Sequence, residues 1–238
     1  MHTKFVPDYY NFISTNPYTE DLDGLPVINI RNVPLTNTMN KLIKRLIDII
    51  GSIIALILFS PIMLIVAILV KKSSPGPIIF AQERIGLGNK PFKMYKFRSM
   101  YMDAEERKKE LMSQNEMEGL MFKMENDPRV TKVGKFIRKT SIDELPQFWN
   151  ILKGEMSLVG TRPPTEDEFL QYEGYHRRRL NMTPGLTGLW QVSGRSDTKN
   201  FEEIVAMDVE YIDNWSLKED IKILFKTVGV VLKGKGAS

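Results

Sequence analysis

The stretch Ile49–Val70 (IIGSIIALILFSPIMLIVAILV) contains no charged residue. As a helix rising about 1.5 Å per residue it is long enough for a hydrocarbon core of roughly 30 Å. A buried helix of a water-soluble domain is shorter or shows a polar stripe, so the run reads as a membrane segment. A secretory leader begins near the first residue, whereas Met1–Asn40 is polar and interrupted by Pro, so export is not expected.

The flanks refine this reading. Lys41, Lys44 and Arg45 precede the run and Lys71 and Lys72 follow it, while a simple span keeps its Lys/Arg excess on one side. Both ends therefore read as cytoplasmic. At mid-run stands Ser60-Pro61: Pro removes an i→i−4 hydrogen bond and bends the helix, and the Ser hydroxyl can take the freed carbonyl. The halves on either side are too short to cross, which favours a re-entrant hairpin in one leaflet over a kinked span. Asp48 lies at helical spacing from Lys44 and Arg45 and can pair with them at the interface.

The remaining chain offers alternating and helix-prone segments. Leu25–Leu35 alternates like a short strand, while Met1–Asp23 shows turn residues without a period. After Ser74-Pro75-Gly76-Pro77, the segments IIFAQERIG and PFKMYKFRSM read as a hairpin across Gly86–Lys90. Asp103–Glu125, Lys132–Arg138, Asp143–Lys153, Asp167–Leu180 and Leu217–Leu232 read as helices, with turns at Gly160–Pro164 and Pro184–Gly188. No fixed repeat is present.

The chain has no Cys and only His2 and His176, which excludes disulfides, thiolate zinc sites and a cysteine nucleophile. Any metal must be held by oxygen, and the net charge of +4 suits an anionic partner. Chemistry therefore falls to carboxylates and Arg. The strongest candidate is Arg138-Lys139-Thr140-Ser141-Ile142-Asp143-Glu144-Leu145-Pro146-Gln147. The plain alternative is a capping box, Ser141-x-x-Glu144, with Asp143 complementing the helix dipole. Pro146 complicates that cap and admits Asp143 as the N-cap instead. Adjacent acids point in different directions, so one can attack while the other faces a cation.

A second cluster, Leu158-Val159-Gly160-Thr161-Arg162-Pro163-Pro164, presents one guanidinium suited to phosphate, or a solvated surface turn. The third, Thr183–Arg195, is Gly-rich with Trp190 and reads as a mobile loop over a nucleotide, or as a buried Trp on a strand. His176-Arg177-Arg178-Arg179 after Tyr172 and Tyr175 suits anionic headgroups, and the apolar run favours lipid over nucleic acid.

In order, Lys44-Arg45-x-x-Asp48, the apolar run with Ser60-Pro61, Gln82-x-Arg84-x-Gly86, Tyr95–Met100, Asp143–Gln147, Gly160–Pro163 and Gly188–Arg195 resemble the bacterial sugar transferase family, the monotopic polyprenol-phosphate phosphoglycosyl transferases. The likeness runs from Lys41 nearly to the C-terminus. It implies an α+β, mostly helical monotopic membrane domain with a small antiparallel sheet and a re-entrant broken helix at Ser60-Pro61. The expected organisation is a junction segment over 1–40, a membrane hairpin over 41–73 and a cytoplasmic catalytic domain over 74–238. Met1–Asn40 is similar to the junction before the catalytic region of larger members.

The implied reaction moves sugar 1-phosphate from a UDP-sugar to polyprenol phosphate at the cytoplasmic face of the bacterial inner membrane, releasing UMP and starting exopolysaccharide, capsule or O-antigen assembly. The resemblance makes Asp143 the nucleophile and Glu144 the Mg²⁺ ligand. It places Lys96, Arg138, Arg162, Pro163, Gln191, Arg195 and Asp208 around the substrates, with Thr161 standing where the family has a Pro. The implied partners are UDP-sugar, polyprenol phosphate and the bilayer, without nucleic acid, and a homodimer stays open. A membrane-anchored adaptor without turnover and a tethered nucleic-acid binder are the rival classes; Trp190 and Arg195 are too few for the second.

Overall fold

The computed structural model describes residues 18–22, 24–29, 33–104, 106–107, 124, 127–194 and 200–232. Its organising element is helix α1, Thr38–Ser73, capped by the Asn37 side chain, which accepts from the amides of Met39 and Asn40. By length and composition α1 can cross a membrane. One face turns toward the rest of the protein along its whole length: Lys44, Asp48, Ser52, Val66 and Val70 are buried, and Ala55, Leu56, Phe59, Met63 and Ala67 pack between them. The steps of three and four residues keep these positions on one side of a helix. The opposite face exposes Ile50, Ile54, Ile57, Leu58, Leu64, Ile65 and Leu69.

Pro61 lies inside α1, and the helix continues through it where the sequence suggested two halves. The missing Pro61 N–H leaves the Ile57 carbonyl without its helical donor, and Ser60 Oγ donates to that carbonyl at 2.8 Å. The Lys44 charge acts on Asp48 as the spacing suggested, but the hydrogen bonds of the two side chains go elsewhere. Lys44 Nζ donates to Asp220 Oδ2 at 2.6 Å and to the Val159 carbonyl at 3.0 Å, whereas Asp48 Oδ1 accepts from Ser157 Oγ and the Leu158 amide. Arg45 caps another helix by donating to the carbonyls of Ile151 and Leu152.

Strands β1 (Tyr18–Leu22) and β2 (Leu25–Asn29) form an antiparallel hairpin, turned at Gly24 with its amide on Asp21 Oδ1. β1 falls in a stretch where the sequence shows no period. β3 (Ile79–Ile85) and β4 (Pro91–Phe97) form the expected second hairpin, with Phe80 opposite Lys96. Next come α2 (Lys132–Lys139), a 3-10 turn at Ile142–Glu144 and α3 (Gln147–Lys153). The single helix expected over Asp143–Lys153 is therefore divided, since Pro146 cannot donate within it.

β5 (Ser157–Val159) pairs in parallel with β6 (Gly185–Thr187), where the glycines of Pro184–Gly188 had suggested a turn. Their glycines serve close approach instead: a Cβ on Gly185 meets Gly160 N at 2.0 Å. α4 (Glu166–Leu170) is followed by a 3-10 segment at His176–Asn181, dividing the helix expected over Asp167–Leu180. α5 (Leu189–Gly194) is helical where a loop or strand was expected, and carries the buried Trp190. α6 (Phe201–Asp213) went unread in the sequence, and α7 occupies Leu217–Leu232 as expected. The architecture is α+β and mostly helical with small two-stranded sheets. Most of Asp103–Glu125 and all of residues 1–17 lie outside the described residues.

Candidate active site

The Asp143-Glu144 pair stands on the 3-10 turn between α2 and α3, and both helices rest on α1. Ile137 of α2 packs with Val66, Val70 and Phe97, while Phe148 and Ile151 of α3 pack with Met94 beside Ala55, Leu56 and Phe59. Asn150, fully buried, ties α3 to β4: its Oδ1 accepts from the Tyr95 amide and its Nδ2 donates to the Lys93 carbonyl. Ser141 turns the chain at the end of α2 with φ 55°, ψ 16°, in the left-handed region that an L side chain seldom adopts.

That geometry removes the capping-box explanation. Ser141 makes no side-chain cap, and Glu144 Oε1 accepts from Lys96 Nζ of β4 at 2.8 Å. Asp143 is only 8% exposed. Burial, reinforced by the neighbouring Glu144 charge, lifts its carboxyl from 3.8 to about 6, against the pull of Lys96 and Arg138. The chain thus keeps a carboxyl whose charge is disfavoured by burial in a setting with two cations, a pattern common at functional sites.

Both acids open onto a cleft of about 400 Å³ that Lys96, Arg138 and Arg162 also line. Arg162 projects from a segment laced to its surroundings. Thr161 Oγ1 donates to the Arg179 carbonyl at 2.8 Å, the Pro163 carbonyl accepts from Arg84 Nη1 at 3.0 Å, and the Pro164 carbonyl accepts from the Ile85 amide. Thr161 therefore supplies by hydrogen bonding part of the restraint that a Pro would supply by its ring. Arg162 Nη1 lies 3.4 Å from Glu168 Oε2, and Arg84 Nη1 lies 3.9 Å from the same oxygen. Burial pushes the Glu168 carboxyl up, but Arg162, Arg84 and the Thr165 amide outweigh it and hold the group below its ordinary value.

The structure does not bring every candidate here. Asp208 is buried against Arg179 at 2.7 Å, with Arg179 also donating to the Tyr172 hydroxyl. Gln191 sits on α5, its Oε1 buried without a hydrogen-bond partner among the described residues. Neither lines the cleft, and Arg195 lies outside the described residues. Conversely, Arg84 and Glu168 were not assigned a role from sequence. Thr165-x-x-Glu168 is a genuine capping box, so its sequence signal is fully accounted for by the cap, and only the fold shows Glu168 facing two arginines.

Among the described residues no group of three or more His, Asp or Glu side chains forms a metal cluster. The adjacent Asp143 and Glu144 nonetheless fit a hard divalent cation. The like charge of Glu144 already raises Asp143, and Mg²⁺ at phosphate sites takes one or two carboxylates with the substrate's phosphates and water completing its shell.

The fold and site define a mostly helical α+β chain built on one membrane-length apolar helix, with an acid pair facing Lys and Arg across a cleft. The model of the bacterial sugar transferase family matches residues 39–234, and the chain belongs to that family. The chain is similar to the galactosyl transferase CpsE of Streptococcus agalactiae serotype III (strain NEM316), 56% identical over 194 residues, covering 82% of this chain and 43% of that protein. It is 42% identical over 231 residues to the UDP-glucose:undecaprenyl-phosphate glucose-1-phosphate transferase of Escherichia coli (strain K12), covering 94% of this chain and 47% of that protein. The exopolysaccharide production protein ExoY of Rhizobium meliloti (strain 1021) is 44% identical over 198 residues, covering 82% of this chain and 87% of that protein. The chain thus spans less than half the length of the first two relatives.

Proposed function

We propose that this chain transfers sugar 1-phosphate from a UDP-sugar to polyprenol phosphate at the cytoplasmic face of the bacterial inner membrane, in exopolysaccharide or capsule assembly. The names of the relatives support the substrate classes, and the buried Asp143 facing the cleft carries the mechanism. An Asp143 Oδ attacks the β-phosphorus of the UDP-sugar, the bond to the bridging oxygen breaks, and UMP leaves with that oxygen. The phosphosugar is held as an aspartyl phosphate. An oxygen of polyprenol phosphate then attacks the same phosphorus and returns the Asp143 carboxylate.

Lys96 and Arg138 lower the repulsion between the attacking carboxylate and the diphosphate, and Arg162 offers its planar fork to the phosphates. Glu144, with Asp143 beside it, would hold Mg²⁺, which when bound supplies further screening of the diphosphate. Desolvation of Asp143 raises its basicity, which favours attack as long as the pH lies above its titration.

The membrane placement rests on α1. Its inward stripe stays on one protein body from Lys44 to Val70, a length of about 40 Å at the helical rise. A perpendicular span cannot keep that body on one side of the bilayer, so the packing supports a re-entrant or in-plane helix. α7 extends the apolar surface with exposed Ile221, Phe225 and Val228, bordered by exposed Lys218, Lys222 and Lys226.

The test is UMP release from a panel of UDP-sugars with undecaprenyl phosphate, with and without Mg²⁺. A radiolabelled sugar should be trapped on a peptide containing Asp143, and Asp143→Asn should give no adduct. An adduct on another residue, or turnover by Asp143→Asn, overturns the assignment.

A further inference from the structure

We infer that the isoprenoid chain of the acceptor lies over Phe80, Tyr101 and Met102, at the end of the cleft that adjoins the last turn of α1. The inference rests on the transfer proposed above and assigns the acceptor a side of the cleft. It starts from β3, whose residues 80, 82 and 84 point to one face by the strand period of two. All three line the cleft, so its wall changes from a phenyl ring through an amide to a guanidinium over about 13 Å.

The Arg84 end is closed by Arg162, Thr165 and Glu168, all polar or charged. The Phe80 end differs: Phe80 is 46% exposed, Tyr101 43% and Met102 64%, and all three line the cleft. Large apolar groups left open beside a charged site favour an apolar occupant. That edge also adjoins the C-terminal end of α1. Arg98 donates to the carbonyls of Val70, Ser74 and Pro75 and lies against Met102 Sδ at 3.7 Å, and Pro77, just beyond α1, lines the same cleft.

The distance to chemistry is short. Phe80 sits directly across the ladder from Lys96, whose Nζ contacts Glu144, the neighbour of Asp143. A lipid phosphate whose tail leaves the bilayer along α1 and crosses Phe80 therefore brings its phosphate to Lys96 beside the carboxylates. The exposed Lys71 and Lys72 in the last turn of α1 favour the anionic headgroup at that edge.

The experiment separates the two half-reactions in nanodisc-embedded protein. Phe80→Ser combined with Met102→Ser should leave the UMP burst from UDP-sugar without acceptor within about twofold. It should raise the undecaprenyl phosphate concentration needed to discharge the adduct at least about tenfold, because the prenyl chain then meets two hydroxyls in place of a phenyl ring and a thioether. Phe80→Leu should restore most of the acceptor dependence. An unchanged acceptor dependence overturns the inference, and so does a loss confined to the burst, which would give this edge to the uracil. Absence of both burst and adduct in the unaltered protein overturns the transfer reading itself, a distinct result. On the unaltered protein, a photoreactive polyprenol phosphate should label the segments 77–80 and 97–102; labelling of 162–168 instead would refute the orientation.

Discussion

Replacing Asp143 by Asn should abolish transfer and at the same time stabilise the protein. The carboxyl is lifted from 3.8 to about 6 in the folded state, by burial first and by Glu144 second. A raised carboxylate means that folding favours its neutral form, so its contribution is fully present below about pH 4, declines through about pH 6 and is lost above. A displacement of roughly two pH units at about 1.36 kcal/mol per unit amounts to about 3 kcal/mol. Asn is neutral at every pH and carries no such loss. For a chain of this size about 2–4 °C accompanies each kcal/mol, so the variant should melt roughly 6–12 °C higher at about pH 8 and level with the parent near pH 4.

The assay is thermal unfolding of both proteins in the same nanodiscs across that pH range, beside UMP release. A variant equal to or less stable than the parent at about pH 8 would refute the reasoning. It would mean that Lys96 and Arg138 already offset the burial of the charge, leaving Asp143 an ordinary ion-paired carboxylate. The same ionisation governs rate: kcat/KM for UDP-sugar should fall about tenfold per pH unit below about pH 6.

Glu144→Gln removes a charge that raises Asp143, so the acidic limb of kcat/KM should move to lower pH; a limb that moves upward contradicts the coupling. Arg162→Lys keeps the charge but not the fork, so KM for UDP-sugar should rise clearly, with kcat falling as well if Arg162 meets the departing UMP; unchanged kinetics return the segment to a surface turn. Lys44→Met leaves Asp220 buried with Tyr211 and Trp215 but without its cation, and should cost about 3–5 kcal/mol in denaturant unfolding, whereas adding Asp220→Asn should recover much of it. Phe225→Glu should weaken binding to liposomes while leaving the UMP burst of detergent-solubilised protein intact; undiminished binding removes α7 from the membrane surface.

What the sequence disclosed was local. α1, the β3–β4 hairpin, α2 and α7 carry their own periodicity, caps or turn residues, and the Asp-Glu pair stood out because Cys is missing and His almost so. The rest depends on partners far apart in the chain. Lys96 meets Glu144 across 48 positions and Lys44 meets Asp220 across 176, and no local pattern encodes either pairing. Glycine misled for a related reason: at Gly160 and Gly185 it admits a neighbouring backbone, which in sequence looks the same as a turn. α6 carries its own signal, an Asn200 cap and apolar residues at Phe201, Ile204, Val205, Val209 and Ile212, and went unread all the same; what the sequence hides there is the burial of Asp208, whose partner Arg179 arrives from another segment. Periodicity detects apolar burial and misses burial by charge pairing.

The placement of Asp143 follows from the helix that first marked the chain as membrane-bound. The turn carrying Asp143 joins α2 and α3, and these two helices stand on different parts of α1, near Val66–Val70 and Ala55–Phe59. Further along the same face, Lys44 and Asp48 hold β5 and α7, and Arg45 holds the end of α3. A turn supported at both ends by one rigid helix cannot move relative to that helix without opening a packed core. The height of the carboxylate above α1 is thereby fixed by folding. For the transfer proposed above, between a nucleotide sugar and a lipid phosphate, that fixed height would remove a freedom that a tethered soluble domain would have to lose at each turnover.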